Sequence, residues 1–138
     1  MNRKCKVAGL QMVSSPRPPE NLQTAATLIE TAVADGAELL LLPEYFPVIG
    51  ASDAERWRMR EPFGDGPLQD WLAATAKRHG VWLVAGSIPL EASAPDKIRN
   101  ACLVFDPAGA CVGRYDKMHL FRFDHGSEHH DEAAQIEA

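Results

Sequence analysis

The sequence predicts an α/β fold built on a mixed sheet. Short apolar runs of strand character alternate with two segments of helical period, and the last two runs are separated only by "DPAG", a tight turn that makes them antiparallel neighbours. "KVAGLQM", residues 6–12, is the first strand, ended by the prolines and serines of "SSPRPPEN". Leu22, Ala25, Ala26, Ile29, Ala32 and Val33 then recur at steps of three and four, and Gly36 follows them as a C-cap glycine does. "AELLLL", residues 37–42, has no polar alternation, as expected of a central strand covered on both faces, and Pro43 ends it.

From Val48 to Pro67 the chain carries Gly, Pro and mixed charges without period; "ERWRMRE" within it fits a short exposed helix or a loop, and the stretch stays unassigned. Asp65 and Pro67 start a second helix, with Leu68, Trp71, Leu72 and Thr75 or Ala76 on one face and Gly80 at its end. "VWLVAGSI", "ACLVF" and "CVGRYDKM" are the third, fourth and fifth strands. The tail "HGSEHHDEAAQIEA" is polar and acidic, with no strand signal. The predicted order is β-α-β-α-β followed by a hairpin.

A length of 138 residues fits one domain, and 46% hydrophobic with 24% charged residues places the chain among soluble globular proteins. No apolar run is long enough to span a bilayer, and "MNRKCKVAGLQM" has too short an apolar segment for a secretory signal, so the expected compartment is the cytoplasm. The net charge of -5 argues against a nucleic-acid surface. Cys5, Cys102 and Cys111 are odd in number and lack CxxC spacing; their places in strands predict reduced, buried structural thiols. Neither GxGxxG nor GxxxxGK[ST] occurs, so a phosphate cradle is not predicted. His119, His125, His129 and His130 lie near Asp124 and Asp131, but adjacent histidines point apart in extended chain, and no metal site is predicted.

Two residues stand out for chemistry. Glu44 lies just beyond the C-terminal end of the central strand, the edge where open α/β sheets place their sites. Shielded by Tyr45 and Phe46, it would lose solvation in its ionised form and so be suited to accept a proton as a general base. Lys117 ends the fifth strand, with Tyr115 on the same face. Beside a carboxylate it would stay an ammonium, able to stabilise an oxyanion.

"KVAGLQM", "LLLLPEYF" and "ACLVFDPAGACVGRYDKMHLF" together resemble the carbon-nitrogen hydrolase (nitrilase) superfamily over essentially the whole chain. The resemblance implies the N-terminal portion of an α-β-β-α sandwich with helices on one face of its sheet. It implies hydrolysis of a small-molecule amide or nitrile, amides of the ω-amide or small aliphatic kind above all, through a cysteine thioester and with no cofactor. Glu44 then matches the general base, Lys117 the oxyanion partner and Glu132 the supporting second glutamate, with Glu128 as a competitor for that last place. The family's cysteine falls after the second glutamate; none of the three cysteines here occupies that place, so the expectation is a truncated domain over 1–138, without a nucleophile and inactive alone. An unmatched sheet face is expected to make it unstable or partner-dependent, and the full-length form is expected to be a homo-oligomer. A non-catalytic fragment or scaffold protein is the alternative.

Overall fold

The computed structural model describes residues 4–138. Its sheet is mixed. β1 (Val7–Gly9), β2 (Leu39–Leu41) and β3 (Trp82–Val84) run parallel, in register at Ala8, Leu40 and Leu83, while β4 (Ile88–Glu91), β5 (Ile98–Phe105) and β6 (Cys111–Asp116) join antiparallel. β3 and β4 pair successively with β5, Leu83 opposite Phe105 and Ile88 opposite Ala101. They are therefore two halves of one broken strand, and the "VWLVAGSI" strand is interrupted at Ala85–Ser87. Gly86 sits at the break with φ 57°, a left-handed conformation that glycine adopts without steric cost.

Helix α1 (Pro18–Ala34) begins at a proline, whose missing N–H is no loss in a first turn, and Gly36 follows it at φ 87°. The unassigned stretch contains helix α2 (Asp53–Arg58), opened by a capping box in which Ser52 and Glu55 satisfy each other's backbone N–H groups. Helix α3 (Pro67–His79) has no capping side chain at Gly66; instead the buried Glu61 carboxylate accepts the N–H groups of Leu68 at 2.6 Å and Gln69 at 3.1 Å. An acidic group there also complements the positive end of the helix dipole. None of the helices among the described residues is long and apolar enough to cross a membrane.

Ala25 and Ile29 of α1 and Leu68, Leu72 and Ala76 of α3 share one core with Leu40, Leu83, Leu103 and Phe105. Both helices thus cover the same side of the sheet, as the fold class predicts. The other side is bare. Because side chains alternate along a strand, Val7, Leu41, Trp82 and Tyr115 all point there, and they are 62%, 47%, 42% and 52% exposed. The expectation that β2 is covered on both faces is therefore corrected: its neighbours flank it in the sheet, but helices lie over one face only.

The tail also departs from expectation. Arg122–His125 (β7) and Glu128–Asp131 (β8) form an antiparallel ribbon around a two-residue Gly126-Ser127 loop, with Gly126 at φ 63°. All eight strand residues are exposed, and cross-strand charge replaces apolar alternation: Arg122 faces Asp131, and His129 lies 2.7 Å from Asp124. A turn of η1 (Glu132–Ala134) follows, and Ile136 then plugs into a small cluster with Tyr45, Ile98 and Leu120.

The bare face carries a prediction. The polypeptide should self-associate and bind a hydrophobic dye, and Leu41→Asp combined with Trp82→Ser should weaken both in sedimentation and fluorescence titrations. A monodisperse wild-type monomer with a sharp, reversible melt would contradict it.

Candidate active site

Leu42 N–H still bonds to Val84 at 3.0 Å, but after Pro43 the chain turns sharply. Tyr45 takes φ 53°, left-handed backbone that costs a non-glycine residue about 1–3 kcal/mol and tends to mark functional sites. Two features offset it: Tyr45 N–H bonds to Ser87 Oγ at 2.9 Å, and its ring is buried. Tyr45 and Phe46 turn inward, leaving Glu44 at the rim with its side chain 53% exposed. The expected shielding of Glu44 by these aromatics is not present; they are the anchors of the turn.

Lys117 follows directly on β6, its N–H bonded to Asn100 O at 3.0 Å. Its Nζ lies 3.0 Å from Glu44 Oε1 and 2.9 Å from Glu132 Oε2. Glu44 and Lys117, distant in sequence, thus meet in one ion pair, and Glu132 joins them. Glu128, the competitor for Glu132's place, lies on the ribbon opposite His125. Glu132 is buried and tied to Phe121 twice: its N–H bonds to Phe121 O at 3.0 Å, and its Oε2 accepts Phe121 N–H at 2.6 Å.

The electrostatics are those of one cation between two acids. Burial alone would push the Glu132 carboxyl up, but the Phe121 N–H and the Lys117 ammonium outweigh it and hold it below the usual carboxylate range. For Lys117, burial would lower the ammonium, yet the hydrogen bonds to Glu132 and Glu44 hold it above its ordinary value. Tyr45 is pushed up to about 12, by burial first and then by the Glu132 charge, so its hydroxyl stays neutral.

Three further residues border the site. Asn100, buried in β5, donates from Nδ2 to Glu44 Oε1 at 2.8 Å. Tyr45 OH reaches Glu132 Oε1 at a long 3.5 Å, and the Arg56 guanidinium lies 5.7 Å from the Tyr45 ring centre. No pattern at sequence level marked Arg56, whereas Trp57, beside it, donates to Pro95 O and is covered by Arg60. A cleft of about 470 Å³ lined by Asp53, Trp57, Pro95 and Ile98 includes none of the three charged groups.

Cys102 and Cys111 lie in the expected strands and Cys5 lies ahead of β1, but the expected burial of the three thiols is corrected. Cys5 is exposed, Cys111 is exposed at the start of the edge strand β6, and Cys102, on the uncovered side of β5, is half-buried. Burial pushes the Cys102 thiol up, which disfavours the reactive thiolate.

The described residues thus form a mixed α/β sheet with a carboxylate–ammonium–carboxylate cluster at its rim. The carbon-nitrogen hydrolase family profile matches residues 6–137, and the chain belongs to that family. It is 38% identical over 120 residues to nitrilase homolog 2 of Dictyostelium discoideum, covering 86% of this chain and 36% of that protein. It is 34% identical over 123 residues to the deaminated glutathione amidase of Yersinia enterocolitica and 35% identical over 122 residues to omega-amidase NIT2 of Xenopus tropicalis, in both cases covering 88% of this chain and 42% of the relative. The C. elegans NitFhit crystal structure superposes with a TM-score of 0.79 at 27% identity, over 98% of this chain and 34% of that one. The chain therefore spans well under half the length of these relatives.

Two predictions follow from this geometry. A Cβ on Gly86 would stand 2.0 Å from Pro43 O, at a φ that L-residues rarely adopt. Gly86→Ala should therefore cost at least about 2 kcal/mol in urea denaturation. The second concerns pH. A carboxyl held low in the folded state contributes stability that is present above its unfolded value and lost as pH falls through its folded value. The wild-type urea midpoint should drop as pH falls below about 4.5, and Glu132→Gln should flatten that drop.

Proposed function

We propose that this chain supplies the proton-transfer and oxyanion-stabilising side of a carbon–nitrogen hydrolase centre acting on small amides. One observation carries the reading: a single ammonium, Lys117, is held against two carboxylates, Glu44 at 3.0 Å and Glu132 at 2.9 Å. In the reaction, Glu44 takes the proton from a cysteine thiol as its sulfur attacks the amide carbon. The Lys117 charge compensates the oxygen of the tetrahedral intermediate, and Glu44 returns the proton to the leaving ammonia as the C–N bond breaks. Water then hydrolyses the thioester. Glu132, buried and fixed by Phe121, orients Lys117 and takes no part in bond making.

The nucleophile in this reading is none of Cys5, Cys102 and Cys111. Cys5, ahead of β1, and Cys111, at the start of β6, are exposed, and burial pushes the Cys102 thiol up. Removing one member of a catalytic unit removes nearly all its effect, so the 138-residue polypeptide is inactive alone. Amides are favoured over nitriles, and ω-amides or small aliphatic amides among them, because relatives at 34% and 35% identity are a deaminated glutathione amidase and an omega-amidase. The compartment in this reading is the cytoplasm, and the complete enzyme is a homo-oligomer. The uncovered sheet face favours one other reading, a non-catalytic piece that works by docking to a partner.

Ammonia release from a panel of small amides and nitriles tests the proposal. The isolated polypeptide should release none; release that disappears in Lys117→Ala would overturn the assignment of the nucleophile. A catalytically complete chain carrying this segment should lose at least about a thousandfold in kcat/KM with Glu44→Gln or Lys117→Ala, while retained turnover would favour the non-catalytic reading.

A further inference from the structure

We propose that Asn100 is a positioning residue that decides which oxygen of Glu44 carries the proton. It lies inside β5, a strand position that asparagine seldom occupies, with its side chain almost wholly buried. Its Nδ2 donates to Glu44 Oε1 at 2.8 Å, and Lys117 Nζ reaches the same oxygen at 3.0 Å. Its own carbonyl accepts the Lys117 N–H at 3.0 Å. One residue thus fixes the base through its side chain and the ammonium's backbone through its main chain.

Two donors converging on Oε1 occupy its lone pairs and leave no room for a proton there. Among the described residues both donors to the carboxylate reach Oε1 and none reaches Oε2, so Oε2 is the oxygen that accepts and returns the proton. The amide orientation is fixed by the same logic: reversed, Oδ1 would face Oε1, acceptor against acceptor. In the orientation adopted, Oδ1 is buried and accepts no hydrogen bond. A buried acceptor left unpaired is costly, and here it accompanies a donor that is used.

The inference rests on reading Glu44 as the base, but its test needs no turnover. In the NMR spectrum of the labelled 138-residue chain, the Asn100 side-chain amide proton aimed at Glu44 should resonate downfield of the ordinary range for asparagine amides, and it should move back towards that range in Glu44→Gln. Asn100→Leu should let the Glu44 side chain average among rotamers and speed exchange of the Lys117 ammonium protons by about tenfold, the worth of one charge-assisted hydrogen bond. Asn100→Asp keeps the shape without the donor and should show the same fast ammonium exchange as Asn100→Leu. Both Asn100 amide protons at ordinary shifts in the wild type, or wild-type ammonium exchange in the Asp variant, would overturn the proposal. Should Asn100→Leu not fold, the wild-type and Glu44→Gln spectra decide alone. A sample that passes this test while every ammonia assay fails keeps Asn100 as the anchor of Glu44 and removes the chemistry from it.

Discussion

Between Val84 and Ile88 a strand edge has to admit the backbone of another segment, and it does so by giving up its own regularity. Pro43 O comes so near Gly86 that no side chain fits between them. The strand breaks there, resumes one residue out of step along β5, and presents Ser87 Oγ to Tyr45 N–H at 2.9 Å. Irregularities of this kind re-aim a side chain next to a site. Here the break lets β2 end in a left-handed turn, and that turn throws Glu44 outward while Tyr45 and Phe46 are buried. The contact of Lys117 with Glu44 depends on it.

The two carboxylates that Lys117 meets are not equivalent. Glu132 is buried, held by a backbone N–H and by a 3₁₀ turn whose first residue it is, so it can neither swing away nor reach a ligand freely. Glu44 is half exposed and held at one oxygen only. A cation between a fixed acid and an accessible one keeps its place when the accessible acid is protonated, because the fixed partner still balances it. That asymmetry is what a proton-shuttling carboxylate beside a permanent ammonium requires, and it comes from where the chain is buried and not from residue type.

The sequence showed what periodicity and punctuation encode. Both long helices were legible from their apolar spacing and terminal Pro and Gly, and so was Glu44's place after a leucine run that Pro43 stops. The charge cluster could be anticipated only through family resemblance, since nothing local says that residues 44, 117 and 132 meet. Other features had local signals that were outweighed. Ser52 and Glu55 spell a capping box, hidden in a stretch without period. Gly126-Ser127 is a two-residue hairpin loop, but its flanks alternate in charge instead of hydrophobicity, so strand patterning was absent. The break at Gly86 was not legible, because its cause is the approach of Pro43 from another strand. The exposure of Cys5 and Cys111 is not legible either: Cys5 falls just ahead of β1, and β6, which Cys111 opens, is an edge strand, a place in the sheet that local pattern does not reveal.

The uncovered face and the charge cluster are parts of one surface. Along β5, Asn100 alternates to the same side as Cys102 and Val104; Cys102 is in register with Tyr115, and Lys117 lies two residues beyond Tyr115. The row that carries the base's anchor and the ammonium therefore continues into the row that carries Trp82 and Leu41. A partner packed on those apolar side chains would also border Glu44 and displace water from it. Excluding water strengthens each of the short contacts to Lys117, since charges at 3 Å interact far more strongly in a low dielectric than beside bulk solvent. In the open state the cluster is a half-solvated ion pair network of modest worth. Covered, the same atoms at the same distances would form a drier and stronger ion-pair network, so the bare face and the charge cluster are coupled through the water they share.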